Sequence, residues 1–501
     1  MSGRWHPAYK RIVLERGFET HRTHFFSAMM DASLAHVLQL VRQGIIRPQD
    51  GRQVAAALLQ VRGEGPEALS YDDRFEDLFF LLEHRLARLA GEEAVGSMHV
   101  ALSRNDLDTT MYRLVLREEV LQVAALLARL RRTLLDLAQQ HVETVMLAYT
   151  HGQQAQPTTF GHYVAAVEAE LAKDHQRLLE MWPRLNRSPL GAAALATSGY
   201  PVDREFTAAL LGFDGPVENS YEAVASADFS AEYAAWALIF LGHVSRFVTD
   251  LMFWAANEVG AVRLHPSLVQ VSSIMPQKRN PVALEHLRAF AGRAMGLAAG
   301  VAVQMHNVPF GDVNDVNDDL QPSLRQLTQH VADVAELLAD VAATMEVDRE
   351  VLRRRAADSF APVTELADVL VREAGWSFRT AHRIVSRAVS ELAGRRQGPD
   401  RLGLDLLDAA ARREAGRPSG LSEEQIRRAL DPVHFVAVRR ARGGPAPEEM
   451  RRYLAEARRR LDEHVQAFQR LAAALEEAAR RREQMIADLV GKGVTPAPRD
   501  E

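Results

Sequence analysis

Long stretches of this chain place apolar residues three and four positions apart, and this spacing constrains the fold more than any other feature. It occurs at Val120, Leu121, Leu127, Leu130, Leu134 and Leu137, and again at Val331, Val334, Leu338 and Val341. A strict seven-residue spacing joins Leu454, Leu461, Phe468 and Leu475. These patterns are typical of helices with one apolar face, and the last predicts a long C-terminal helix with a narrow apolar seam. Alternating, strand-like patterns are scarce, so the sequence predicts an all-α fold.

The chain has 501 residues, too many for a single hydrophobic core, so two or three domains are expected. Polar and Gly/Pro-rich segments divide it into three predicted parts. They are an N-terminal helical domain (1–109), a central helical bundle that assembles with other copies (110–357) and a C-terminal helical domain (358–501). The polar tail from Gly491 onward is expected to be disordered.

Composition excludes several classes of protein. The chain contains no cysteine, which excludes disulfides, a thiolate zinc site and a cysteine nucleophile. The net charge of −6 argues against a nucleic-acid binder, and we interpret the run Arg353–Arg355 as a solvated helix face. The N-terminus lacks the apolar core of a signal peptide, and no uncharged apolar run approaches the roughly 20 residues of a membrane span. We therefore expect a cytoplasmic protein without a membrane segment.

Three polar segments interrupt the helical pattern, namely Ser103–Asp106, Thr150–His151 and Val271–Arg288. Each lies where a helix should begin or end, so helix capping is the simplest interpretation of any one of them, and it suits Ser103–Asp106 well. Capping explains the third segment poorly, because two prolines hold its backbone away from the helical conformation. Such a loop can direct several backbone N–H groups, with Lys278 and Asn280, towards a carboxylate that gains charge.

The apolar pair Ile274–Met275 is expected to anchor this loop inward. A lone histidine is more often structural than catalytic, but His151 follows a Thr and precedes Gly and two Gln, and therefore lies at a polar turn. Glu285 can orient such an imidazole and favour its charged form. There is no His-Glu-x-x-His, no Cys-x-x-Cys, no Gly-rich phosphate loop, and 311–319 lacks the Gly and final Glu of a calcium loop. Neither a metal nor a cofactor is expected.

The segment "SSIMPQKRN" followed by Glu285 resembles the signature loop of the fumarase/aspartase superfamily. The rest of the chain is most similar to the argininosuccinate lyase and delta-crystallin branch. The similarity is carried by "SRND", "YTHGQQAQPTTFGHY", "SPLGAAALATSGYPVDREFTAALLGFDG", "ENSYEAV", "LGHVSR", "DLQ" and "FRTAHRIV", in the order of that family. The resemblance implies an all-helical, three-domain subunit in a homotetramer, with each active site built from loops of three subunits. It also implies cleavage of N-substituted aspartates to fumarate and an amine, by anti-elimination and without a cofactor.

The same resemblance assigns roles to individual residues. Ser272 is expected to remove the proton from carbon, while Lys278 and Asn280 hold the carboxylate as it gains charge. His151, oriented by Glu285, is expected to act either as general acid or as a positioning group. The remaining substrate-binding set is Ser103, Arg104, Asn105, Thr150, Gln321 and Ser33.

The sequence departs from the family at several positions. Val271 replaces a Gly, Phe79 stands where a His is expected, and other changes fall at Val100, Ala101, Leu102 and Leu107. An Arg, a Tyr and a Lys that the family uses for the amine half of its substrate are Ala227, Val316 and Leu324 here. Arg325 and Arg246 are candidates to replace the missing cations.

Three hypotheses follow from this pattern. The first is a lyase for an N-substituted aspartate whose amine half is not arginine, since the losses fall on the amine side. The second is an authentic argininosuccinate lyase, and an adenylosuccinate-lyase-like role is disfavoured because only "DLDTT" points to it. The third is an inactive structural paralogue, which the complete acid–base set disfavours.

Overall fold

The computed structural model describes residues 5–491, and long helices dominate it, as the sequence predicts. The N-terminal helices are α1 (Pro7–Tyr9), α2 (Glu15–Thr20), α3 (Phe26–Arg42), α4 (Pro48–Glu64), α5 (Leu78–Ala90) and α6 (Glu92–Met98). Two π-helical segments, Lys10–Leu14 and His21–Phe25, connect the first three helices. From residue 492 onward, the tail that the sequence predicts to be disordered lies outside the described residues.

The central part is a helical bundle built mainly from long helices. Its helices are α7 (Arg104–Gln140), α8 (Phe160–Leu185), α9 (Arg204–Leu210), α10 (Ser220–Ala225), α11 (Asp228–Ala255), α12 (Val282–Gln304) and α13 (Gln321–Thr344). Helices α7, α8, α11, α12 and α13 pack against one another and bury their apolar stripes in one large core. The periodic leucines of α7 and valines of α13 lie in that core, which confirms the helical interpretation of their spacing.

Three small β-ladders, which the sequence did not indicate, occur at the ends of these helices. Their strands are β1 (Val145–Thr150), β2 (Gln153–Thr159), β3 (Val262–Arg263), β4 (Gln270–Val271), β5 (Arg279–Asn280) and β6 (Glu346–Val347). The antiparallel pairs are β1 with β2, β3 with β6, and β4 with β5. The turn of the first ladder contains His151, and the third ladder closes the loop 270–280.

The C-terminal part has a separate, smaller core. Its helices are α14 (Arg349–Ala357), α15 (Val363–Ala374), α16 (Phe378–Gly394), α17 (Leu404–Ala415), α18 (Glu423–Leu430) and α19 (Pro432–Ala437). Apolar side chains between Leu366 and Ala429 form this second core. In α14, Arg353 and Arg354 are exposed, as expected of a solvated helix face.

The last helix, α20 (Pro447–Gly491), runs back along the bundle. Its heptad residues Leu454, Leu461 and Phe468 are buried, as their spacing predicts. Arg131 of α7 and Glu168 of α8 are both fully buried and bonded at 2.8 Å, and Arg131 also contacts the imidazole of His464 at 3.0 Å.

Further along, α20 is tied to the N-terminal helices. Arg482 pairs with Asp31 of α3 at 2.7 Å, and Glu483 accepts two hydrogen bonds at 2.7 Å from Arg62 of α4. Helix α20 is thus fixed to α3 and α4.

Helix α11 is long and apolar enough to cross a membrane by length and composition alone, although Glu232 and Arg246 limit its uncharged run to well under 20 residues. Its buried face includes Tyr233, Phe240 and Phe247, and it packs against α8 and α12. Its apolar character is therefore accounted for by its position in the bundle core.

Candidate active site

The serine loop, residues 270–280, projects from the bundle just before α12. Strands β4 and β5 pair Gln270 with Asn280 and Val271 with Arg279, so the two ends of the loop meet. Within it, Ser272 Oγ accepts hydrogen bonds from the N–H groups of Ile274, at 3.3 Å, and Met275, at 3.1 Å. Two backbone donors on one hydroxyl oxygen favour its deprotonated form, which is what a serine base requires.

The loop is more exposed than the sequence led us to expect. Ile274 is 83% exposed and Met275 37%, so the prediction that this apolar pair anchors the loop inward is wrong for the single chain. The ladder, rather than apolar burial, holds the loop. Lys278 is exposed and Asn280 half-buried, while Glu285 is exposed in the first turn of α12. The side chains of the loop therefore face outward.

His151 occupies a two-residue hairpin turn. Thr150 pairs with Gln153, so His151 and Gly152 alone connect β1 to β2, with φ values of 53° and 71°. Positive φ at both central residues is the type I′ geometry that matches the twist of a hairpin. Thr150 and His151 are both exposed, and Tyr149 packs edge-on against Phe253 of α11, with ring centroids 5.6 Å apart. A short, rigid hairpin thus presents the imidazole.

Ser103 begins α7, and it does act as a helix cap. Its hydroxyl accepts from Asn105 N at 3.3 Å, and its own N–H donates to Asp106 Oδ1 at 3.0 Å, which is a capping box. The other oxygen of Asp106 accepts from the N–H groups of Gly191, at 2.7 Å, and Ala193, at 3.0 Å. Burial raises the pKa of Asp106 to about 7, although these backbone donors oppose the shift. The interpretation of Ser103 as a helix cap is correct. Asn105, beside this cap, is half-buried.

The remaining predicted residues lie in different surroundings. Arg104 is paired with Asp77, and with Glu76 at 3.4 Å. Gln321 starts α13, is 1% exposed, and donates to Asn317 O at 3.3 Å. Ser33 is 4% exposed within α3, so its side chain belongs to the packed interior of the N-terminal part rather than to the loops described above.

The predicted residues form three groups within one chain. Among residues 5–491, no hydrogen bond or ion pair joins the side chains of Ser103, His151 and Ser272. Glu285 and His151, which the sequence suggested as partners, likewise make no such contact within this range. Within this range, the single chain does not join the three loops through side-chain hydrogen bonds or ion pairs.

The sequence departs from the family at three positions that the resemblance assigns to the amine half of the substrate. All three residues are apolar and buried. Ala227 is 5% exposed, Val316 6% and Leu324 fully buried. Next to them, Arg325 is 6% exposed and forms an ion pair with Glu119 of α7. A buried guanidinium in a salt bridge is not free to bind substrate, because leaving its partner would strand a half-buried carboxylate. Arg246 is exposed on α11.

Sequence reasoning missed one group of polar side chains. His21 Nε2 lies 4.0 Å from Asp108 Oδ1 and 3.8 Å from Asp318 Oδ1, and all three atoms lie within 4.8 Å of one another. Tyr112, in the next turn of α7 after Asp108, donates its hydroxyl proton to Asp318. The only sequence signal was the aspartate-rich segment 311–319, which the absence of a calcium-loop pattern led us to discount.

Comparisons with known proteins show the family to which the chain belongs. Residues 80–296 match the family described as Lyase, and residues 360–437 match the family described as Argininosuccinate lyase C-terminal. The chain is 39% identical to Argininosuccinate lyase 2 of Agrobacterium fabrum, over 91% of this chain and 90% of that protein. It is 42% identical to Argininosuccinate lyase of Methanoculleus marisnigri, over 85% of each chain. This chain belongs to the argininosuccinate lyase family.

Solved structures extend the family assignment. EDDS lyase in complex with formate is 31% identical, with a TM-score of 0.86 over 98% of this chain and 97% of that one. A class II fumarase from Schistosoma mansoni is 17% identical with a TM-score of 0.65 over 81% of this chain, which bears on the fold alone. The fold is thus that of the fumarase/aspartase superfamily, as predicted.

As a member of the argininosuccinate lyase family, the protein is an enzyme, a carbon–nitrogen lyase that releases fumarate. This confirms the predicted class of reaction. It also removes the inactive structural paralogue from the hypotheses. The amine half of the substrate is a separate question.

Proposed function

We propose that this lyase eliminates fumarate from an N-substituted aspartate whose amine half is not arginine. Ser272 removes a proton from the carbon next to the carboxylate, and the electron pair enters that carboxylate to give a dianion held by Lys278 and Asn280. The electrons then return to form the carbon–carbon double bond as the C–N bond breaks. The departing nitrogen takes its proton with help from His151, as general acid or through a group it positions.

The observation that carries the substrate assignment is the apolar character of the amine side. Argininosuccinate ends in an amino acid carboxylate and ammonium, and burying these groups without partners costs free energy. Ala227, Val316 and Leu324 offer neither charge nor hydrogen bonds at the three positions concerned. Arg325, the nearest candidate replacement, is already paired with Glu119.

The serine loop supports the proposed acid–base chemistry. Because two N–H groups donate to Ser272 Oγ, they stabilise the alkoxide before substrate binds. They also make Ser272 a more suitable base than the neighbouring Ser273, for which no such hydrogen bonds occur among the described residues. The ammonium of Lys278 adds positive charge to the same loop.

A homotetramer with composite active sites accounts for the separation of the three loops. The exposed face of α12 carries Gly292, Gly296 and Gly300, four residues apart, and a Cβ added to any of them would meet no atom within 4 Å. Small residues at this spacing allow a helix of another subunit to approach closely. The same packing would cover Ile274 and bring Glu285 to the His151 of another subunit.

Steady-state kinetics test the substrate assignment. Two lost charge-assisted contacts at a few kcal/mol each should lower kcat/KM for argininosuccinate by about 10³-fold or more relative to an ordinary lyase. We expect a value below about 10⁴ M⁻¹s⁻¹ for argininosuccinate, together with faster fumarate consumption with some other amine. A higher value would refute the assignment.

Authentic argininosuccinate lyase is the second candidate, because several relatives that are 34–42% identical carry that name. The same assay with argininosuccinate separates the two candidates.

Subunit mixing tests the composite site. Ser272→Ala and His151→Asn enzymes, each of reduced activity alone, should together exceed the sum of their separate activities when dissociated and reassembled, since some sites then receive both intact loops. Exchange of subunits without any recovery would contradict a shared site. A mixture of two preparations of the Ser272→Ala enzyme is the matched control.

A further inference from the structure

The buried carboxylate of Asp106 joins two segments that are far apart in the chain. Asp106 is the third residue of α7 and is fully buried. Its Oδ1 accepts a hydrogen bond from Ser103 N at 3.0 Å, and its Oδ2 accepts from Gly191 N at 2.7 Å and from Ala193 N at 3.0 Å. The side chain therefore ties the cap of α7 to the segment 189–200.

These contacts require a carboxylate and not merely a polar side chain of the same size. Three backbone N–H groups face the two oxygens of Asp106, and an ionised carboxylate accepts at both oxygens. Asparagine has the same shape but carries one oxygen and one NH₂ group. In Asp106→Asn, the NH₂ group would face either Ser103 N–H or the two donors of the other segment, and a buried donor without a partner costs free energy. An amide can therefore hold one segment but not both.

The segment 189–200 depends on such contacts because part of its backbone is strained. Ala193 and Thr197 have φ values of 51° and 60°, in the left-handed region that residues with a Cβ rarely adopt. Gly191 has a φ of 90° and lies directly against Arg204, since a Cβ added to this glycine would stand 2.7 Å from Arg204 Cγ. Loss of the hydrogen bonds on its N–H groups would let this backbone relax to another conformation.

Helix α3 holds both segments from the other side. His36 is fully buried and donates from Nε2 to Met98 O and Val100 O, each at 3.1 Å, just before the cap of α7. Gln39 is also fully buried, accepts from Asp203 N at 2.9 Å, and donates to His36 Nδ1 at 3.1 Å. The two segments are thus both bound to α3, and the buried carboxylate at the start of α7 joins them to each other.

We propose that Asp106 is a positioning residue for the fumarate half of the substrate. It acts through Ser103 and Asn105, which the family resemblance assigns to substrate binding, so the inference rests on the proposed function. Asn105 N donates to Ser103 Oγ at 3.3 Å, and Asn105 Oδ1 accepts from the same hydroxyl at 3.1 Å. A displacement of the cap therefore moves both side chains together. Misplacement of binding groups by about 1 Å can cost about a hundredfold in rate.

Steady-state kinetics in the direction of addition to fumarate test this role. Fumarate is varied at a saturating concentration of the amine that the wild type consumes fastest. We expect Asp106→Asn to raise KM for fumarate by about tenfold or more, and by a larger factor than it lowers kcat. A merely structural role would reduce the number of folded active sites, which lowers the apparent kcat and leaves KM unchanged. Circular dichroism measures the folded fraction.

A double variant shows whether Asp106 acts through the cap. In an Asn105→Ala background, a group that the carboxylate positions is already missing. Asp106→Asn should therefore raise KM for fumarate by a much smaller factor there than in the wild type, because the two residues act as a unit. Equal factors in both backgrounds would contradict the positioning role.

The other end of the link can be disturbed without changing the carboxylate. Gly191→Ala introduces a Cβ against Arg204 at a φ that favours glycine, and it should raise KM for fumarate in the same direction as Asp106→Asn. Gly199→Ala is the matched control in the same segment, because an added Cβ there meets no atom within 4 Å. Asp431→Asn, at the exposed cap of α19, is the control for the change from Asp to Asn. Both controls should keep the wild-type KM.

The possible outcomes separate the two proposals. Absence of fumarate consumption by the wild type with every amine contradicts the proposed function itself. Consumption with an unchanged KM in Asp106→Asn overturns the positioning role alone, and a lower kcat at constant KM would show that this carboxylate only stabilises the fold. An increase in KM in Gly199→Ala equal to that in Gly191→Ala would also overturn the inference.

Discussion

Replacing Glu119 by Gln should destabilise the protein strongly, because it strands the buried guanidinium of Arg325. Arg325 is 6% exposed and Glu119 21%, and Glu119 is the only carboxylate in ion-pair contact with Arg325 among residues 5–491. Removing one partner of a buried pair typically costs about 3–5 kcal/mol. The partial exposure of Glu119 places this pair at the lower end, about 3 kcal/mol, or roughly a hundredfold in the folding equilibrium.

Denaturant unfolding followed by circular dichroism measures the effect. The control is Glu350→Gln, which makes the same chemical change in the exposed pair of Glu350 with Arg353 and should shift the midpoint little. The double variant Glu119→Leu/Arg325→Met should recover most of the loss, since an apolar pair of similar volume can replace a buried ion pair. It should also retain activity with the true substrate.

The reasoning fails if Glu119→Gln is no more destabilising than Glu350→Gln. Arg325 would then not depend on Glu119, and it would be available to bind an anionic group of the substrate. A loss of activity in the double variant at unchanged stability would point the same way, and would favour authentic argininosuccinate lyase.

Three further predictions concern catalysis and pH. Ser272→Ala should lower turnover by about 10²–10⁴-fold or more without changing the circular dichroism spectrum, and more than a tenth of wild-type activity would contradict its role as base. His151→Asn should lower turnover more than Glu285→Gln, and the double variant should lose less than the product of the two factors; multiplicative losses would show that they act separately. Burial lowers the pKa of His36 to about 4, so the unfolded chain takes up the proton first as pH falls below about 6.5. The contribution of His36 to stability should therefore drop by about 3 kcal/mol between pH 7 and 4, and His36→Gln should flatten that part of the curve measured by denaturant unfolding.

Local patterns in the sequence predicted the parts of the fold that depend on local spacing. The seven-residue repeat from Leu454 to Phe468 predicted α20, and the leucines of α7 predicted its buried face, because each reports on a single helix. The position of the serine loop was also predictable, since its two prolines keep the neighbouring backbone out of the helical conformation. The division into domains at 109 and 357 stays a prediction.

Features that depend on distant residues were not predictable in the same way. The hairpin that carries His151 arises from the pairing of two strands whose residues do not alternate in polarity, so local patterns contain no strand signal there. His21, Asp108 and Asp318 come together from distant segments, and nothing local marks His21 as a partner of either aspartate. The outward position of Ile274 likewise depends on what covers the loop.

Helix α20 has a consequence for the biosynthesis of the protein. Its seam residues Leu461 and Phe468 complete the main core, and Arg482 binds Asp31 near the other end of the chain. These contacts form only after α20 has left the ribosome, so a nascent chain keeps the docking surface of α7 and α8 uncovered until then. Premature termination anywhere before residue 447 would release a polypeptide with an open apolar groove, which makes such fragments prone to aggregation and to recognition by chaperones.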